Sequence, residues 1–133
     1  MTIIVGYMPG DAGERVLAGA VREARTRGSS LLVVNSSTGG AYADRGLLPA
    51  AELEAVRQRL AADGLEVDVR QYAEAVSVAE TLIDEAERVS ADLVVVGLRR
   101  RSRTGKFLLG STAQTVLLRA PCDVLAIRIP TDD

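Results

Sequence analysis

Short runs of consecutive apolar residues alternate along this chain with stretches in which apolar residues recur every three or four positions. The runs at 3–5, 31–34, 93–96 and 124–127, the last two marking strands over 92–97 and 124–129, are brief and unbroken, as strands covered on both faces of a sheet are. Between them, Val16, Leu17, Ala20, Val21 and Ala24 form a helical stripe over about residues 11–27. Asp11 is its expected N-cap, and Gly28 suits the position just past its end. Leu53, Val56 and Leu60 mark a second helix over 50–62, ended by Gly64. Ser77 and Glu80 form a capping box for a third, whose stripe is Val78, Ala79, Leu82, Ile83, Ala86 and Val89. Ser111 and Gln114 suggest the same device for a fourth, with Ala113, Val116, Leu117 and Ala120 inward and Pro121 as its stop. Residues 65–72 differ: Leu65, Val67 and Val69 alternate with Glu66, Asp68 and Arg70, the pattern of a half-exposed edge strand. The order βαβαβαβαβ predicts one doubly wound, mainly parallel α/β domain over residues 1–133, with helices on both faces.

Ligands of such sheets sit beyond the carboxyl ends of the strands, where strand order reverses. If the first and fourth strands are the central pair, that crevice is lined by residues 6–9, including Tyr7, Met8 and Pro9, and by residues 96–101. The second half of this crevice opens the stretch V-V-V-G-L-R-R-R-S-R-T-G-K-F-L-L-G-S-T, residues 94–112. A strand that runs into a glycine-bounded loop and ends at a helix N-terminus can hold an anion, because unpaired helix N–H groups and the helix dipole face the ligand. Residues 36–49 form the longest loop, and its length points to function as well.

The 133 residues carry a formal charge of −2 and mean hydropathy of +0.14, so general nucleic-acid binding is not expected. No run approaches a membrane span, and the first residues lack the basic flank of a secretory leader. A cytosolic protein is therefore expected. The absence of histidine excludes a Ser-His-Asp triad, a Cys-His pair and His-ligated metals. Cys122 alone cannot form an internal disulfide or a Cys-rich zinc site, and it reads as a small packed thiol.

Several phosphate motifs fail. Gly105-Lys106 is followed by Phe107, so there is no Walker A loop, and the complete G-x-G-x-x-G of a Rossmann fingerprint does not follow the first strand, where three residues separate Gly6 from Gly10. The acidic residues of a phospho-accepting receiver are missing from the ends of the first and third strands. Gly97, Arg100 and Gly110-Ser111 do follow the spacing G-x2-G-x9-G-[ST], apart from arginine at the middle glycine. With L-L-G-S-T-A-Q-T-V-L-L-R-A-P-C-D-V-L-A-I-R and the opening I-V-G-Y-M-P-G-D-A-G-E-R-V-L, the chain resembles the universal stress protein family over nearly its whole length.

That resemblance implies a five-stranded parallel sheet of order 3-2-1-4-5, of the adenine nucleotide α-hydrolase-like kind, in a cytosolic homodimer paired through its last strand. It also implies an ATP or AMP site, with Mg²⁺ accompanying ATP and no cofactor needed to fold. Carried over by position, the site falls on Met8, Ser36, Val96, Gly97, Arg100, Gly110, Ser111 and Thr112. Tyr7, Pro9, Arg99 and Arg101 flank these. Met8 lacks the carboxylate that the family places there, and Arg100 stands where backbone should approach phosphate. Two readings stay open: the cations at 99, 100, 101, 103 and 106 grip a phosphate-bearing ligand, or the chain is a dimeric interaction module without nucleotide. No base for activating water is evident, so an enzyme is not expected, and slow ATP hydrolysis is the remoter alternative. The last strand, Val124, Leu125, Ala126, Ile127, Arg128 and Ile129, is expected at an edge, where another chain or the flanking helices would cover it.

Overall fold

The computed structural model describes residues 1–37, 47–73, 77–99 and 110–130. Five strands and four helices alternate: β1 Thr2–Gly6, α1 Asp11–Arg27, β2 Ser30–Ser36, α2 Ala50–Ala62, β3 Val67–Tyr72, α3 Val78–Arg88, β4 Leu93–Arg99, α4 Ser111–Arg119 and β5 Asp123–Ile129. The strands form one sheet in the order β3-β2-β1-β4-β5, and every pairing is parallel. This is the expected topology, with β1 between β2 and β4. Among the described residues no helix is long and apolar enough to cross a membrane.

Alternating side chains of the central strands supply two cores. Ile3, Val5, Leu31, Val33 and Val95 pack with α1 and α2 on one face. Ile4, Leu32, Val34, Val94 and Val96 pack with α3 and α4 on the other. Burial on both faces explains why these strands read as unbroken apolar runs. At the β3 edge the polar residues Asp68 and Arg70 are exposed, as the alternation predicts. At the other edge Val124 to Ile127 are all half-buried, because α1 and α4 pack against the two faces of β5.

Four details depart from the sequence reading. β2 and β4 run on to Ser36 and Arg99, extending the sheet toward the crevice. Gly10, not Asp11, is the N-cap of α1; its φ of 102° lets the chain turn sharply, and its carbonyl accepts the Glu14 N–H at 3.0 Å. Gly110 rather than Ser111 precedes α4, which has no side-chain cap, so the second capping box does not form. Leu117 is 42% exposed, since α4 is only nine residues long and buries little beyond Ala113 and Val116. The Ser77 cap is present: its hydroxyl accepts the Glu80 N–H at 2.9 Å. The Glu80 carboxylate reaches Arg119 of α4 instead of turning back to Ser77. Cys122 is half-buried, and burial, with Asp123 and Asp92 nearby, pushes its thiol pKa up, as suits a packed thiol.

The β3 edge is fastened by a charge inside the fold. Glu85 of α3 is 5% exposed and takes the Tyr72 hydroxyl, two Arg88 hydrogen bonds at 2.9 and 2.5 Å, and Arg70 at 3.9 Å. Burial alone would raise its pKa, but the Arg88 and Tyr72 hydrogen bonds outweigh that and hold the carboxyl below the ordinary value. A depressed carboxylate contributes stability that is complete above the unfolded pKa, about 4.3, and lost as pH falls through the folded one. Glu85→Gln is therefore expected to cost about 2–3 kcal/mol at neutral pH and to flatten the loss of stability below pH ~4.3. Urea unfolding of both proteins across the acid range reads the effect; parallel acid limbs would show that Glu85 does not carry it.

Candidate functional site

The carboxyl ends of β1, β2 and β4 open into a cavity of about 260 Å³. Its floor is the sheet edge at Gly6, Val34, Val96 and Gly97, and one wall is Tyr7, Met8, Ala12, Gly13 and Val16 from the turn after β1 and the start of α1. Val78 and Leu82 of α3, with Thr112 and Ala113 of α4, form the opposite wall; Ser36 and Ile129 also border the space. Gly13 is what lets α1 begin so close to the preceding turn, because a Cβ there would lie 1.6 Å from the Met8 carbonyl oxygen. At Gly97 a Cβ would meet Ile129 at 2.6 Å and Val16 at 3.0 Å. This glycine therefore has a packing cause of its own.

A buried polar cluster fixes the rim. Asn35, fully buried, donates Nδ2–H to the Tyr7 carbonyl at 2.9 Å. Its Oδ1 accepts the Leu48 N–H at 2.9 Å and Gln71 Nε2–H at 3.0 Å. Gln71 also donates to the Leu48 carbonyl at 2.6 Å. Three strand ends and the residues leading into α2 are thereby joined. The Tyr7 hydroxyl donates to Glu14, which Arg59 of α2 also approaches at 3.4 Å. Burial first, and the Glu14 hydrogen bond second, push the Tyr7 pKa up to about 12. Tyr7 is thus a neutral structural group, and its hydroxyl is already engaged.

Two features are polar and uncommitted. Ser36 is 2% exposed and borders the cavity, yet its Oγ has no hydrogen-bond partner. The first turn of α4 has neither a side-chain cap nor an acidic residue, whereas α1, α2 and α3 each carry an acidic residue there. Among the described residues its leading N–H groups meet no side-chain acceptor, so they are placed to take an outside one. Gly110, at its start, has φ −62° and ψ 152°, angles open to any residue, and among the described residues a Cβ there would touch nothing.

Of the residues expected from sequence, Tyr7, Met8, Ser36, Val96, Gly97 and Thr112 border this one cavity. Gly110 and Ser111 lie at the helix start beside it, and neither they nor Pro9 is part of its wall. Arg100 and Arg101 fall outside the described residues, as does the side chain of Arg99 at the end of β4. The apolar wall of Val16, Val78, Leu82 and Ala113 was not singled out for the site, because core-facing positions at helical spacing carry no separate signal for a ligand. Asn35 was missed too. Its only sequence mark is a polar residue directly after the apolar run at 31–34. Among the described residues no cluster of three or more metal-ligating side chains forms.

A parallel sheet of order 3-2-1-4-5, with a crevice at the β1–β4 switch point, defines a doubly wound α/β domain with a candidate ligand site. The chain matches the universal stress protein family over residues 1–128, and it belongs to that family. A universal stress protein of Mycolicibacterium smegmatis is 36% identical over 126 residues, covering 95% of this chain and 96% of the relative. The structure of a universal stress protein from Archaeoglobus fulgidus superposes with a TM-score of 0.77 at 35% identity, over 96% of this chain and 98% of that one. A universal stress protein in complex with cAMP superposes with a TM-score of 0.72 at 25% identity, over 96% of both chains. The architecture is the adenine nucleotide α-hydrolase-like fold of these proteins.

Proposed function

We propose that this protein is a cytosolic stress-response protein that binds an adenine nucleotide in the cavity at the ends of β1 and β4. The observation that carries this reading is the meeting, at one cavity, of the unpartnered Ser36 hydroxyl and the uncapped N-terminus of α4. A base with hydrogen-bonding edges suits the first, and a phosphate suits the second. The apolar walls suit the flat face of a base, and a related structure holds cAMP. The nucleotide is ATP or AMP, and the phosphates lie against Gly110, Ser111 and Thr112. The arginines at 99, 100 and 101 supply cations beside them. No carboxylate lines the cavity among the described residues, so the proposal is for a nucleotide without a directly held Mg²⁺. Binding, rather than catalysis, is the role: the chain has no histidine, and the buried Tyr7 is neutral and engaged. Gly110 has backbone angles and surroundings among the described residues that admit a side chain, but it is the N-cap of α4, where valine caps less well. Gly110→Val is therefore expected to lower the melting temperature by only a few degrees, about 1 kcal/mol, while losing at least tenfold in AMP affinity, which is about 1.4 kcal/mol. Calorimetry and thermal melts check both. Absence of heat with AMP and ATP in the parent protein would reject the nucleotide reading and favour the interaction module.

The two sheet edges support a homodimer through β5. β3 shows Asp68 and Arg70 to solvent, which discourages pairing, whereas β5 offers Val124, Leu125, Ala126, Ile127 and Ile129, with its charges confined to Asp123 at its start and Arg128. Leu118 of the adjoining α4 is 77% exposed. Sedimentation velocity is expected to give a dimer; a monomer at every concentration tested would overturn the pairing.

A further inference from the structure

The two faces of the sheet are covered differently. α3 and α4 pack against each other, whereas no Cα atom of α1 comes within 8 Å of one in α2. α1 lies mainly over β1, β4 and β5, and α2 lies over β3, so a groove of about 510 Å³ is left between the two helices. Its floor holds Ala18, which is exposed, the half-buried Val21 and the edge of Leu60. From Glu14 to Arg25 the groove follows α1 for roughly three turns of helix, about 16 Å.

The rim of this groove is cationic in a chain whose formal charge is −2. Arg22, Arg25 and Arg59 border it with two carboxylates, Glu14 and Asp63. Both acids are already engaged: Glu14 takes the Tyr7 hydroxyl and Arg59 at 3.4 Å, and Asp63 takes Arg25 at 3.7 Å. Arg22 makes no hydrogen bond or ion pair among the described residues. The paired side chains are about half exposed, and ion pairs of this length and exposure hold weakly, so Arg25 and Arg59 can turn to other carboxylates at little cost. A free phosphate would meet an arginine but leave the floor uncovered. An apolar strip of this length, flanked by charges of one excess sign, fits a segment that is apolar on one side and acidic beside it. We propose that the groove between α1 and α2 is a docking surface for an acidic amphipathic segment of a partner protein. Its apolar side chains settle on Ala18 and Val21, and its carboxylates are taken by Arg22, Arg25 and Arg59. This assignment is independent of the nucleotide reading, because the groove and the cavity at the strand ends share no lining residue.

A labelled helical peptide of about twelve residues, with leucines along one face and glutamates elsewhere, tests this by fluorescence anisotropy. The parent protein is expected to bind it about tenfold tighter than the same peptide with lysines for glutamates, or with serines for leucines. The Arg22→Glu, Arg25→Glu double variant and the Ala18→Glu variant should each lose about tenfold in peptide affinity while melting within a few degrees of the parent. Backbone amide shifts give a readout that needs no variant: on adding the acidic peptide to the parent they are expected at Ala18, Val21, Arg25 and Leu60. Silence of the parent toward this peptide at millimolar concentration, equal binding of the lysine peptide, undiminished affinity in both variants, or shifts centred elsewhere would each overturn the assignment. Binding of inorganic tripolyphosphate as tightly as the peptide would make the groove a phosphate site instead. Self-association of the parent that the double variant abolishes would make a second copy the occupant, and would overturn the assignment as well.

Discussion

The side chain of Asn35 holds together the end of the sheet at which the ligand cavity lies. Its amide donates to the end of β1 through the Tyr7 carbonyl, and its oxygen accepts from β3 through Gln71 and from the approach to α2 through Leu48. These partners are at the carboxyl edge, and Asn35 itself is shielded from water. An interior amide in this position is held in one orientation, since each lost partner would leave a buried polar group unsatisfied at roughly 1–3 kcal/mol. The fixed orientation sets the path of Tyr7 and Met8, and with it the distance between the β1–α1 turn and Ser36. The cavity exists because these strand ends are locked while α1 begins tightly behind them over Gly13.

The same edge explains the division of labour among polar groups. Tyr7, Glu14 and Arg59 satisfy one another, and so do Tyr72, Glu85, Arg70 and Arg88 on the far side of β2. These clusters fasten α2 and β3 to the central strands, and they are closed to a ligand because their hydrogen bonds are already made. Among the described residues, Ser36 and the start of α4 differ in having polar groups without protein partners at the border of the cavity. Function is assigned to what the fold leaves unsatisfied.

Much of the architecture was legible in the chain because burial on both faces writes itself as unbroken apolar runs, while the alternation of Val67 and Val69 with Asp68 and Arg70 marks the β3 edge. Helix ends were less legible. Asp11 and Ser111 are good caps by residue type, yet Gly10 and Gly110 hold those positions, because cap geometry depends on where the preceding strand delivers the chain. Leu117 looked inward by spacing, but the short α4 covers only part of its stripe. At the site, the glycine spacing of 97 and 110 pointed to the end of β4 and the start of α4, which border the cavity through Gly97 and Thr112. The walls were hidden, since Leu82 or Val16 in a cavity looks in sequence like Leu82 or Val16 in a core. Asn35 was hidden for the opposite reason: a lone polar residue after an apolar run is indistinguishable from the start of a loop until its partners are seen.

The central claim is that the cavity between Ser36 and the first turn of α4 is where a nucleotide binds. Backbone amide shifts recorded by NMR while AMP is added test it most directly. The account predicts the largest shifts at Ser36, Gly97, Ser111, Thr112 and Ala113, with the α1–α2 groove around Arg25 and Asp63 unmoved. Shifts centred on that groove, or none at the start of α4, would contradict it.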